Sequence, residues 1–78
     1  MDIHVIPFGI TGEIIGRSSL TLKDIKTIKA LQEYLFDEYP RLKQYTFQYA
    51  VNDELTHHLS KTFKDNDEVA LIPPFAGG

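Results

Sequence analysis

The chain has 78 residues, a formal net charge of −3 and no cysteine. This length predicts one small domain, and the lack of thiols excludes disulfide bonds, cysteine nucleophiles and thiolate metal sites. An acidic chain without a basic stripe is not expected to bind a nucleic-acid backbone, and the lack of a signal-like start or a long apolar run predicts a cytoplasmic, unprocessed protein.

The first third of the chain predicts two strands joined by a loop. Residues 2–8 alternate between apolar and polar side chains, which is typical of a strand with one buried face. Residues 9–16 contain three glycines, so we expect a loop there with at most one helical turn. Residues 18–22 predict a second strand, which would form a hairpin with the first.

One amphipathic helix is predicted in the middle of the chain. Thr27 suits the N-cap, because its hydroxyl accepts a hydrogen bond from a free N–H of the first turn. Pro40 disfavours helical geometry at the residue before it, so the helix should end near Tyr39. Between these limits, apolar residues recur at helical spacing on one face: Ile28, Leu31, Leu35 and Tyr39.

The second half of the chain predicts three further strands. Residues 45–51 alternate and are rich in β-forming side chains, and Asn52-Asp53 follows as a turn. Leu55 starts a short return segment, residues 64–68 form a polar turn, and an apolar strand leads up to Ile72. A single amphipathic helix needs one sheet face to cover, so the fold class is a two-layer α+β domain.

No catalytic or metal site is predicted. Asp65 and Asp67 form an acidic pair in a turn, where solvated charge is the expected explanation. His57 and His58 are adjacent, so in an extended segment they point to opposite faces and cannot easily chelate one metal. The aromatic side chains from Tyr34 to Tyr49 are expected in the core and at its border.

The last residues combine a strand with an unusual tail. Pro73 and Pro74 stop the final strand, because proline lacks the N–H that a ladder requires. Extended, the five residues Pro74–Gly78 would reach roughly 17 Å. Gly77 and Gly78 carry no side chains, so they could thread a narrow channel and present a terminal carboxylate inside another protein.

Residues 65–78, with the sequence DNDEVALIPPFAGG, resemble the C-terminus of the MoaD-type small subunit of molybdopterin synthase. The resemblance implies a ubiquitin-like β-grasp domain over residues 1–73, with the first and last strands parallel and adjacent at the centre of the sheet. It also implies an extended, flexible Gly-Gly tail at residues 74–78. Asn66 stands where this family usually has glycine, and asparagine is the residue that next best tolerates a left-handed backbone.

The resemblance implies a sulfur carrier with no bound cofactor or metal and no catalytic residue of its own. An ATP-using, E1-like enzyme would adenylate Gly78, and a persulfide donor would convert it to a thiocarboxylate. The tail, comprising Pro74, Phe75, Ala76, Gly77 and Gly78, would enter the large subunit of molybdopterin synthase. There its sulfur would help to build molybdopterin from cyclic pyranopterin monophosphate in molybdenum cofactor biosynthesis, within a heterotetramer of two small and two large subunits.

An exposed apolar patch of Phe8, Ile72 and Phe75 is expected to dock these partners, because interfaces are enriched in aromatic residues. The alternative, that Phe8 belongs to the core, is equally compatible with the sequence. Three other functions remain open: a sulfur carrier for thiamine thiazole synthesis or tRNA thiolation, a modifier that forms isopeptide bonds through Gly78, and a ubiquitin-like interaction domain that is never activated.

Overall fold

The computed structural model of the protein describes residues 1–74, which form a five-stranded sheet with helices packed on one face. The strands are β1 (Asp2–Pro7), β2 (Leu20–Lys23), β3 (Gln48–Val51), β4 (Glu54–Thr56) and β5 (Asp67–Ile72). The helices are α1 (Ile10–Ile15) and α2 (Ile28–Glu38), and a 3-10 helix covers Pro40–Gln44. Within residues 1–74, no helix is both long and apolar enough to cross a membrane.

The strand order is β2-β1-β5-β3-β4, which places β5 at the centre of the sheet. β1 and β5 are parallel, with Val5 opposite Val69, and the other neighbouring strands are antiparallel. A parallel pair requires a crossover connection, and here the connection contains α2. This is the β-grasp arrangement, so the predicted α+β class and the parallel pairing of the first and last strands are confirmed.

The core lies between α2 and the inner face of β1 and β5. Ile3 and Val5 of β1, with Val69 and Leu71 of β5, are fully buried, while the intervening His4 is half-buried on the open face. Each fully buried aliphatic side chain contributes roughly 1.5–3 kcal/mol through removal of its apolar surface from water. The alternation in residues 2–8 therefore predicted the inner face of β1 correctly.

Helix α2 begins and ends as its sequence predicts. The Thr27 hydroxyl accepts a hydrogen bond from the Ala30 N–H at 3.1 Å, which caps the first turn. The helix ends at Glu38, and Tyr39 leaves helical geometry with φ −131° and ψ 73° immediately before Pro40. The buried residues of the helix are those that recur at helical spacing: Ile28, Leu31 and Leu35.

Two turns also follow their predictions. Asn52 and Asp53 have φ values of 49° and 70°, and two successive positive φ values are typical of the tight turns that join β-hairpins. Asn66 has φ 67°. Asparagine therefore supports the left-handed turn at the position where the resembling family usually has glycine.

The prediction of a loop with at most one helical turn for residues 9–16 is wrong in the extent of the helix. Residues 10–15 form α1, and Thr11 and Ile15 on its inner face are buried. Gly16 ends this helix in a left-handed conformation, with φ 77° and ψ 17°. The glycines therefore flank or permit a short helix rather than preventing one.

The third predicted strand is too long at its start, because β3 begins at Gln48 rather than at Tyr45. Gln48 pairs with Ile72 in the antiparallel ladder, so continuing that register would place Phe47 opposite Pro73. Proline has no N–H to donate, and the pairing stops there. The preceding residues form the 3-10 helix Pro40–Gln44, which the sequence pattern did not indicate.

Candidate docking site at the base of the tail

An open groove of about 980 Å³ surrounds the point at which the chain leaves the sheet. We call it the tail-base groove. Its floor is the end of β5 and the two prolines that follow, and one segment stands on either side. The lining residues are Phe8, Gly9 and Ile10 on one side, Gln44, Tyr45 and Thr46 on the other, and Ile72, Pro73 and Pro74 on the floor.

The sheet register brings these three segments together. The Phe8 N–H donates to the Leu71 carbonyl at 3.1 Å, so the chain after β1 runs beside the end of β5. On the opposite side, Gln48 pairs with Ile72, which places the segment before β3 beside the prolines. The groove therefore arises because both neighbours of β5 stop pairing where its prolines begin.

Large aromatic side chains stand on both sides of the tail-base groove. Phe8 is 52 % exposed and Tyr45 is 39 % exposed, while Ile72 on the floor is half-buried. The exposure of Phe8 decides against its assignment to the core. Exposed aromatic residues around a concave apolar surface are typical of sites that bind another protein.

The Phe8 side of the groove is fixed by α1. Thr11 is fully buried, and its hydroxyl donates to the Phe8 carbonyl at 2.6 Å. The Thr11 N–H donates to the same carbonyl at 3.2 Å. Two hydrogen bonds from one buried residue therefore hold the backbone beside the tail.

The other end of β5 is held by Asp67, which is 9 % exposed. Its carboxylate accepts hydrogen bonds from the Lys64 N–H at 2.8 Å and from the Asn52 side chain at 2.9 Å. Burial raises the pKa of Asp67, but these hydrogen bonds and the charges of Lys61 and Lys64 lower it more, so the net pKa lies below its ordinary value. The interpretation of Asp67 as a solvated turn residue is therefore wrong.

The structure places part of the predicted site. Phe8 and Ile72 lie in the same groove, and Pro74 lies at its floor. Phe75, Ala76, Gly77 and Gly78 lie outside the described residues, so their predicted roles stay predictions.

The sequence predicts that Tyr45 lies in the core or at its border, but Tyr45 is exposed and lines the groove. One signal in the sequence indicates that the strand does not extend back to Tyr45. The residues before Gln48 would have to pair with Pro73 and Pro74, which have no N–H to donate.

No metal centre is visible in residues 1–74, where no three His, Cys, Asp or Glu side chains cluster closely enough to hold an ion. His57 and His58 are both exposed. They border a smaller cleft beside β4 that also contains Glu54 and Lys61. This cleft lies away from the tail-base groove and shares no residue with it.

A comparison with protein families matches residues 5–78 to the ThiS family. The chain belongs to the ThiS family. It is therefore a ubiquitin-like sulfur carrier of the ThiS/MoaD type.

Solved structures of similar proteins share the fold of this ThiS-family protein over nearly the whole chain. A chain in the complex of subunits 1 and 2 of molybdopterin-converting factor from Helicobacter pylori 26695 is 31% identical, with a TM-score of 0.76 and 100% of both chains covered. Small archaeal modifier protein 1 from Methanosarcina acetivorans is 27% identical, with a TM-score of 0.78 over 99% of this chain and 96% of that one. A putative molybdopterin-converting factor subunit 1 from Pyrococcus furiosus is 19% identical and shares the fold, with a TM-score of 0.83 over 95% and 98% of the two chains.

Proposed function

We propose that this protein is the sulfur-carrier subunit of molybdopterin synthase, with Gly78 as the residue that carries the sulfur. The observation that supports this pathway is the 31% identity, over the full length of both chains, to a chain of the Helicobacter pylori molybdopterin-converting factor complex. The Pro-Pro segment between β5 and the two glycines fits the role, because it stiffens the base of a tail that must enter another protein.

The first step of the proposed reaction activates a poor electrophile. A carboxylate oxygen of Gly78 attacks the α-phosphorus of ATP, pyrophosphate leaves, and a mixed anhydride with AMP forms. An E1-like adenylating enzyme supplies the nucleotide site, since a carrier of this kind brings the carboxylate and the docking surface. ATP is thus a substrate of the partner and not a cofactor of this chain.

The second step exchanges oxygen for sulfur. The terminal sulfur of a persulfide on a donor protein attacks the Gly78 carbonyl carbon, and AMP leaves. A thiol of the donor then attacks the inner sulfur of the resulting acyl disulfide. This breaks the S–S bond, leaves a thiocarboxylate on Gly78 and forms a disulfide on the donor. The electrons for the step therefore come from the donor's thiol.

The thiocarboxylated tail then enters the large subunit, where cyclic pyranopterin monophosphate receives the sulfur. The catalytic acids and bases belong to the large subunit, and the small subunit is a co-substrate that is not an enzyme by itself. Because a dithiolene contains two sulfur atoms, two carriers act for each pterin. This stoichiometry favours a heterotetramer of two small and two large subunits, which we place in the cytoplasm.

The tail-base groove is the surface that we propose for partner docking. Phe8 and Ile72 line it together with Tyr45, and Phe75 would extend it along the tail. Docking at the base of the tail directs Pro74–Gly78 into the partner's active site. A specific interface of this kind buries about 800 Å² on each partner.

A second candidate is a modifier that joins Gly78 to lysines of other proteins. The observation that favours it is the 27% identity to small archaeal modifier protein 1 from Methanosarcina acetivorans. Both functions begin with adenylation of Gly78, and they differ in the nucleophile that follows. Carriers for thiamine thiazole synthesis or tRNA thiolation would share the thiocarboxylate and differ only in its acceptor.

An acceptor experiment separates these pathways. The thiocarboxylated protein is incubated with the large subunit of molybdopterin synthase and cyclic pyranopterin monophosphate, and in parallel with thiazole-synthesis and tRNA-thiolation enzymes. We expect sulfur to leave Gly78 only in the first reaction, with molybdopterin as product. Sulfur transfer in another reaction, or isopeptide-linked Gly78 in cell extracts, would contradict the molybdopterin assignment.

A further inference from the structure

Gly9 lies so near Pro73, at the floor of the tail-base groove, that little room is left for a side chain. A Cβ added at Gly9 would lie 3.1 Å from Cγ of Pro73 and 3.9 Å from its Cδ. The shorter distance is below the optimal separation of about 3.5–4.0 Å for two carbon atoms. The backbone of Gly9 therefore packs against the proline ring in a space that a side chain would fill.

The loop that carries Gly9 is held on both sides. The preceding Phe8 N–H donates to the Leu71 carbonyl, and the Phe8 carbonyl accepts the Thr11 hydroxyl. The Gly9 carbonyl accepts the Gly12 N–H at 3.0 Å. The Gly9 backbone is thus a fixed surface, tied to β5 through Phe8 and to α1 through its own carbonyl.

Contact with Gly9 matters for Pro73 because the hydrogen bonds of the sheet do not fix the position of this residue. Its nitrogen has no hydrogen to donate, and β5 ends at Ile72. Packing against Gly9 limits the directions in which the chain can continue. The direction of the chain at Pro73 matters because, under the proposed function, the residues that follow must reach the nucleotide site of the activating enzyme.

We propose that Gly9 is a positioning residue, whose close packing against Pro73 sets the direction in which Pro74–Gly78 leave the fold. The inference rests on the proposed adenylation of Gly78. Docking through the rest of the groove sets how tightly the activating enzyme binds the carrier, whereas the Gly9–Pro73 contact sets how often the carboxylate meets the nucleotide. A change at the contact therefore acts on kcat more than on KM.

The variant Gly9→Ala tests this with Gly16→Ala as its control. Gly16 also has a positive φ, 77°, but an added Cβ would meet nothing within 4 Å. The assay is ATP–pyrophosphate exchange by the E1-like enzyme with the carrier as the varied substrate. We expect Gly9→Ala to lower kcat by about tenfold or more with KM changed less than about twofold, since small misplacements of a reacting group reduce rates strongly. Gly16→Ala should keep both constants within about twofold of wild type by the same reasoning.

The Pro73→Ala background separates the contact from backbone strain. Gly9 has φ 56° and ψ −134°, so alanine is strained there whatever lies nearby. Without the proline ring the clash disappears and the strain remains. We therefore expect Gly9→Ala to change kcat by less than about twofold when it is added to Pro73→Ala. Thermal unfolding of each variant serves to check that it is folded.

Three outcomes would overturn the inference, and they are distinguishable. An equal loss of kcat from Gly9→Ala in both backgrounds would assign the effect to strain. A kcat like that of wild type for Gly9→Ala would refute the positioning role and leave the sulfur-carrier function intact. Wild-type protein that supports no exchange with an enzyme active on its own carrier would refute the proposed function, and the positioning role with it.

Discussion

Replacing Phe8 by alanine tests whether the tail-base groove docks the partner proteins. Phe8 is 52 % exposed, so the substitution removes little buried surface and should leave the protein folded. A phenylalanine side chain buries about 200 Å² when fully covered, so docking would cover about 100 Å² more of Phe8. At about 25 cal/mol per Å², that area corresponds to about 2.5 kcal/mol, or a roughly 60-fold weaker Kd.

The assay is calorimetric titration of the activating enzyme, and separately of the large subunit, with wild-type and Phe8→Ala protein. The matched control is Leu59→Ala, because Leu59 is 45 % exposed and its carbonyl accepts the Lys29 N–H at the start of α2. The tail-base groove instead adjoins the 3-10 helix that follows the end of α2. We expect the control to bind like wild type. A Phe8→Ala protein that is folded and binds both partners with wild-type Kd would refute docking through this groove.

Four further variants test the tail and the anchoring of β5. One extra residue after Gly78 should abolish sulfur transfer, because it removes the glycine carboxylate, and should leave the melting temperature unchanged; transfer at the wild-type rate would refute the role of Gly78. Asp67→Asn should lower the free energy of unfolding at pH 7, measured with urea, by about 2 kcal/mol. The reason is that asparagine has only one accepting oxygen, whereas the two Asp67 oxygens accept hydrogen bonds from the Lys64 N–H and the Asn52 side chain. Since the folded pKa of Asp67 is depressed, its stabilisation is complete above the unfolded pKa of about 3.9 and is lost as pH falls through the folded pKa. The difference between Asp67→Asn and wild type should shrink over that range, and a difference that is constant with pH would contradict this assignment. Asn66→Ala should lower the free energy of unfolding by about 1 kcal/mol, because Asn66 has φ 67°. Asn66→Gly should be about as stable as wild type. Equal losses from both variants would assign the effect to the lost Asn66 side chain.

The elements that could be predicted from sequence are those whose signals are local. The alternation in β1 and the helical spacing after Thr27 report directly which face of each element is buried. The N-cap at Thr27 and the stop before Pro40 each depend on residues within one turn. These elements required no knowledge of their partners, and the structure confirms them.

The elements that were missed depend on residues far away in the chain. Tyr45 has strand-like neighbours, but it lies outside β3 because the ladder stops at the prolines beyond Ile72. Asp67 looks like a solvated turn residue until its hydrogen bond to the Asn52 side chain is known. In both cases, the deciding partner lies just beyond the end of a different strand, and the local sequence pattern does not identify it.

The position of the apolar patch could be predicted only in part, for the same reason. Phe8 and Ile72 each follow or end a predicted strand, so the parallel pairing of β1 and β5 brings them together. Whether Phe8 is covered could not be decided from its neighbours in sequence. That depends on the path of the chain after the 3-10 helix, which leaves the groove open.

The central claim is that Gly78 carries sulfur, and the most direct test is the intact mass of the untagged protein. The protein is incubated with ATP, a sulfur source and the activating enzymes of its host, with a known carrier as a positive control. We predict a product in which one oxygen of the Gly78 carboxylate is replaced by sulfur, and fragmentation should place the change on the last residue. An unmodified mass, obtained while the control carrier is converted in the same extract, would contradict the claim.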